Sequence, residues 1–164
     1  MNSVLSTPIE QARWLLVADG HHAWVGEMGW HTSTPLEAAG LIASEVAEVA
    51  DALLDGPERR ADLAEELADV LLRCFDLAYR HGLPLPPMTP AARHHQGLLP
   101  LTRALGPLLN ACRGAQPDAT FAAALYAVIE ETLRVGDMHR FDLLAACEAK
   151  CAKNRLRGSR GRAK

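Results

Sequence analysis

The sequence predicts an all-α protein, a helical bundle, and three observations carry that expectation. Apolar residues recur at helical three- and four-residue steps along most of the chain. No stretch alternates β-branched or aromatic residues with a period of two between turn markers. Proline and glycine clusters cut the chain into helix-sized pieces. The helices expected are Ile9–Ala23, Pro35–Leu54, Arg59–His81, Gly97–Ala111, Ala119–Val135 and Met138–Leu156.

Each boundary has a local reason. Thr34-Pro35 supplies a cap and a first-turn proline whose missing N–H costs nothing there. Asp55-Gly56-Pro57 stops the second helix, and Gly82-Leu83-Pro84-Leu85-Pro86-Pro87 forms a stiff connector after the third. The connector divides the chain into halves, and Gly114-Ala115-Gln116-Pro117 breaks the second half much as Asp55-Gly56-Pro57 breaks the first. Leu72-Arg73 with Asp76 recurs as Leu133-Arg134 with Asp137, and Gly56 corresponds to Gly114. Two degenerate hairpin repeats, about 30–85 and 97–156, account for this, as does chance similarity between two amphipathic hairpins. In that register Glu45 and Glu48 fall opposite Arg103 and Gly106, and Glu66 opposite Ala127, so the second copy lacks the acids of the first.

At 164 residues, 49% apolar and 23% charged, the chain suits one domain over 1–156 with a single core. No apolar run approaches the roughly 20 residues of a membrane span, and Met1–Ser6 lacks the features of a signal peptide, so a cytoplasmic location is expected. Cys74, Cys112, Cys147 and Cys151 lack paired C-x-x-C spacing and read as buried free thiols rather than zinc ligands or disulfides. All 20 Asp and Glu precede Lys150, whereas seven of 17 Lys and Arg lie from Lys150 onward. An acidic body argues against broad nucleic-acid binding and suits cation capture; residues 157–164 read as a flexible basic tail.

The strongest chemical signal is a pair of acid pairs, Glu45-x-x-Glu48 and Glu66-x-x-Asp69, each on one helix face. On the helical wheel Ile42, Val46, Val49 and Leu53 form an apolar stripe with Leu41 and Ala52 beyond it, and Glu45 falls inside this arc. Glu48 lies at its edge. An ionised carboxylate in an apolar setting needs a counter-charge, either a cation or a buried arginine. In the next helix Glu66 borders the arc of Leu63, Leu67, Val70, Leu71, Cys74 and Leu77. Asp69 projects with Asp62, Arg73, Asp76 and Arg80, which reads as a solvated face. The adjacent pairs His21-His22 and His94-His95 have diverging side chains and read as surface residues poorly placed for a metal.

Taken together, Glu45-x-x-Glu48, seventeen intervening residues, and Glu66-x-x-Asp69 within Glu65-Glu66-Leu67-Ala68-Asp69-Val70-Leu71-Leu72-Arg73 resemble the MazG-like all-α nucleoside triphosphate pyrophosphohydrolases, which include the dimeric dUTPases and dCTPases. Trp30-His31 followed by Pro35 looks like that superfamily's approach to its first acid pair, and Lys150-x-x-x-Asn154-Arg155 like its closing helix. The likeness covers about Trp30–His81 and Asp142–Arg157; the intervening Pro86–Met138 departs from the simpler members. It implies that Glu45, Glu48, Glu66 and Asp69 bind Mg2+, with Mn2+ as a substitute, and serve catalysis. It implies further that Lys150, Asn154, Arg155, Trp30 and His31 contact the nucleotide, and that the chain forms a homo-oligomer, a dimer foremost, although an internally duplicated chain would need fewer subunits. Glu45, in the more apolar setting, is the acid expected to have raised proton affinity, with the general base left open. A competing expectation is a non-catalytic nucleotide- or partner-binding helical protein of the same descent. Core packing competes with nucleotide contact for Trp30, as for Trp14 and Trp24. A di-iron carboxylate bundle is disfavoured because Glu-x-x-His pairs are absent.

Overall fold

A computed structural model describes residues 7–89, 97–114 and 118–157. His94-His95, part of the second-half break at 115–117 and the basic tail from 158 onward lie outside the described residues. Every regular element described is helical: α1 (Pro8–Glu27), α2 (Pro35–Leu54), a 3-10 turn (Pro57–Arg59), α3 (Arg60–Arg80), α4 (Leu99–Ala111), α5 (Ala119–Met138) and α6 (Leu143–Arg157).

Local chemistry explains where the helices begin. Thr7 and Thr34 each open a helix with a reciprocal capping box, to Glu10 and Glu37, followed by Pro8 and Pro35 in the first turn. Asp118 caps α5 through Phe121 N–H at 2.9 Å. The last two helices differ from expectation at their junction, where α5 runs on to Met138 and α6 starts only at Leu143. Arg140 has φ 57°, and Asp142 accepts from the Ala145 N–H at 2.9 Å, capping α6. A Cβ on Gly136 would lie 2.3 Å from Leu143 Cδ1, so glycine allows α6 to fold back tightly on α5.

The helices pack as two hairpins, α2–α3 and α4–α5, joined by further contacts between α3 and α5 and between α2 and α4. These four close a bundle around one core. Outside it, α1 and α6 pack against each other and both lie on α3. α3 therefore has neighbours on nearly every side, and Leu67, Val70, Leu71, Cys74, Phe75 and Leu77 are fully buried. The proline-rich connector is held down rather than loose: Tyr126 donates to Pro84 O at 2.6 Å, and Gln11 donates to Pro86 O while accepting from Met88 N–H. Cys74, Cys112 and Cys147 are buried free thiols, and Cys151 is half-buried.

Two sequence expectations change here. Leu41 faces solvent instead of extending the apolar arc of α2. Asp69 is not on a solvated face; its side chain is only 17% exposed, because α6 covers that side of α3.

Candidate metal centre

α2 and α3 lie side by side, and their facing carboxylates converge. One oxygen each from Glu45, Glu48 and Glu66 falls within 4.8 Å of the others. Glu45 rises from the apolar face of α2 between buried Ile42, Val46 and Val49, and its side chain is 13% exposed. The arginine rival for Glu45 is present as well: Arg73 Nε donates to Glu45 Oε1 at 3.2 Å. Glu48 forms the exposed rim of the group and Glu66 the half-buried wall.

Electrostatics make this a strained assembly of like charges. Burial, then the charges of Asp69, Glu48 and Glu45, push the Glu66 carboxyl up to about 7, against the opposing pull of Lys150. Two carboxylates about 5 Å apart repel by about 3 kcal/mol at an effective dielectric constant near 20, less at the solvated rim. One guanidinium facing three acids leaves net negative charge, and the donors are all hard oxygens. That donor set fits a divalent cation such as Mg2+, with Glu45, Glu48 and Glu66 as its carboxylates.

Asp69, the fourth acid expected at the metal, neighbours Glu66 closely enough for its charge to act there but falls outside the group whose ligand atoms lie within 4.8 Å. It forms an ion pair with Lys150, which also donates to Glu65 Oε1 at 2.7 Å. Burial raises the Asp69 carboxyl to about 6 even though the Lys150 contact acts the other way. Glu65 is held down to about 2 by hydrogen bonds from Lys150 and from Lys153, which sits 2.6 Å away. Burial disfavours the charge on Lys150, but its bonds to Asp69 and Glu65 prevail and its pKa is raised. The far end of the chain thus reaches the acid hairpin through a buried lysine.

The remaining expected residues separate. Asn154 is half-buried one turn after Lys150. Arg155 points towards α1, its Nη2 lying 3.5 Å from Gly20 O. Trp30 packs edge-on against Trp24, with ring centroids 5.0 Å apart. His31 turns to Asp76, Nδ1 to Oδ1 at 3.3 Å. Of the tryptophans, Trp14 is the one fully in the core, where it meets Phe75 edge-to-face.

Several participants were not singled out by sequence. Glu65 and Arg73 stand within the acid motif without an assigned role, and Lys153 is a neighbour of Asn154. The Glu66 and Asp69 carboxyls are raised, and Glu45 is paired with Arg73. The His21-His22 pair also departs from expectation. Its side chains do diverge, but His21 is buried, 6% exposed, with burial pushing its pKa down to about 4, and His22 joins Asp76. Comparison with protein-family models, with curated proteins and with solved structures finds no match to this chain.

Proposed function

We propose that this protein is a divalent-metal-dependent nucleoside triphosphate pyrophosphohydrolase of MazG-like type, converting a (deoxy)nucleoside triphosphate and water to the monophosphate and pyrophosphate. The observation that carries this reading is the convergence of Glu45, Glu48 and Glu66 beside a buried Lys150 delivered from the last helix. A bound divalent cation supplies neutralising charge for the triphosphate and acidifies water. The protein's own groups would do the rest. As water attacks the α-phosphorus and the bond to the β-phosphate breaks, the water's proton would pass to a carboxylate of the acid hairpin, the general base being left open among Glu45, Glu48, Glu66 and Asp69. Asp69 and Glu65 hold Lys150 as a compact charge beside the trio, where it can meet a phosphate oxygen. Asn154, on the same face, offers donors and an acceptor to sugar or base, and Trp30 an aromatic surface. Cytoplasmic nucleotide-pool cleaning by a homo-oligomer completes the proposal.

One observation favours the alternative of a binding protein without turnover. Lys150 is already neutralised by two acids, Asp69 and Glu65, so its charge is committed within the fold. The two readings part in a simple assay. Purified protein is incubated with Mg2+ and a panel of standard and modified nucleoside triphosphates, and pyrophosphate and monophosphate are measured. The enzyme releases both in equal amounts and loses this with Glu48→Gln. Nucleotide binding without either product across the panel supports the binding protein.

A further inference from the structure

We infer that His22, His31 and Asp76 form a second metal site, independent of the acid trio, that takes a borderline transition-metal ion, zinc foremost. Among the described residues these three side chains are the other group whose ligand atoms all lie within 4.8 Å of one another. Both imidazoles address one oxygen: His22 Nδ1 stands 2.7 Å and His31 Nδ1 3.3 Å from Asp76 Oδ1. The two rings are 4.9 Å apart between centroids and tilted by 41°.

Geometry and donor chemistry agree. In a tetrahedral zinc site, with metal–ligand distances of about 2.0–2.2 Å, neighbouring ligand atoms are about 3.3 Å apart. His31 and Asp76 already stand at that separation, His22 stands about 0.6 Å inside it, the difference between 3.3 and 2.7 Å, and the ligand atoms of the two imidazoles lie within 4.8 Å of each other. Two imidazoles and one carboxylate select zinc and its transition-metal neighbours over magnesium, which prefers an all-oxygen shell. The side chains of His22, His31 and Asp76 are 29%, 33% and 14% exposed, so an ion can enter and keep a fourth position for water.

The ligands come from three places that the fold must bring together. His22 lies on α1, Asp76 on α3, and His31 on the turn between α1 and α2. Gly29, at φ 68°, reverses the chain there. A Cβ on Gly26 would approach His31 Nε2 to 3.1 Å, so the glycine leaves room for the ring. A metal at this point would tie the end of α1 and the following turn to the central helix. The site owes nothing to the proposed hydrolase chemistry: Asp76 lies ten residues beyond Glu66 on α3, about 15 Å along a helix axis.

The test uses tag-free full-length protein, stripped with chelator and held in excess Mg2+ to fill the acid trio. Zinc is titrated by calorimetry and Co2+ by visible absorption. The expected result is one zinc per chain, a tetrahedral cobalt spectrum with nitrogen and oxygen rather than thiolate character, and a higher melting temperature with zinc. His31→Gln, at an exposed position, and Asp76→Asn should each weaken zinc by more than about tenfold, the minimum cost even of losing an outer partner. Glu48→Gln/Glu66→Gln and Cys151→Ser should leave zinc affinity unchanged. Circular dichroism confirms that each variant is folded. The inference is overturned if the wild type binds no zinc, or if folded His31→Gln and Asp76→Asn bind it as well as the wild type. In either case the three side chains are a hydrogen-bonded His–Asp–His group only.

Discussion

Glu66 is the residue at which the surroundings most clearly alter chemistry. Its carboxyl is raised from 4.5 to about 7 by burial and by neighbouring acids, so the folded chain holds that proton more tightly than the unfolded chain. The resulting stability is fully present below pH about 4.5 and is lost as pH rises through about 7. The full shift corresponds to about 3 kcal/mol, and partial solvation of the side chain reduces the expectation to about 1 kcal/mol. In chelator, the melting temperature should therefore fall by about 2–4 °C over this range. Asp69, raised to about 6, adds to the same slope, so Glu66→Gln should flatten the dependence without abolishing it. Equal slopes for wild type and variant would show that Glu66 is not the strained group. Excess Mg2+ should reverse the loss in the wild type, since a cation stabilises the ionised trio. Glu65 acts in another window: its stability is present above about 4.5 and disappears as pH falls through about 2.

Among the elements, α6 decides whether the acid hairpin is complete. Lys150 is buried and bonded to two carboxylates, so Lys150→Met leaves Asp69 and Glu65 with one fewer cation at a half-covered surface. A loss of about 1–3 kcal/mol in urea unfolding is expected, together with loss of triphosphate turnover. Full activity in this variant would remove Lys150 from the site. The α5–α6 turn gives a second test: Gly136→Ala forces a methyl into Leu143 and should cost about 1–3 kcal/mol. A melting temperature equal to wild type would mean that the turn relaxes freely.

The helices were largely legible because their signals are local. Thr34-Pro35, Asp55-Gly56-Pro57 and the apolar stripe of α2 each act within one or two turns. Asp142 was a readable cap as well, but the continuous run from Met138 concealed it. Asp69 and His21 were misjudged for a different reason. The faces of one helix say nothing of what packs on them; α6 covers Asp69 on α3, and α1, which carries His21, packs against both α3 and α6. Nor does spacing reveal that Asp76 meets two histidines from elsewhere in the chain, since that contact depends on tertiary packing.

For the whole molecule, two helical hairpins form a bundle, and only the first carries the acid trio. The second hairpin contributes core rather than ligands to that trio, burying Phe121, Leu125, Val128 and Ile129. Phe121→Ala should cost about 3–5 kcal/mol and unfold both hairpins in one transition, because they share that core. Two separated transitions would mean that the halves are independent. The chemical outcome depends on the whole arrangement, with acids from the first half and Lys150 from the last helix. Its most direct test is a phosphorus NMR time course of the protein with Mg2+ and each standard ribo- and deoxyribonucleoside triphosphate in turn. The account predicts that at least one triphosphate gives monophosphate and pyrophosphate signals in equal amounts, and that Glu48→Gln gives neither. Diphosphate with orthophosphate, or unchanged triphosphate throughout with the protein folded, would contradict it.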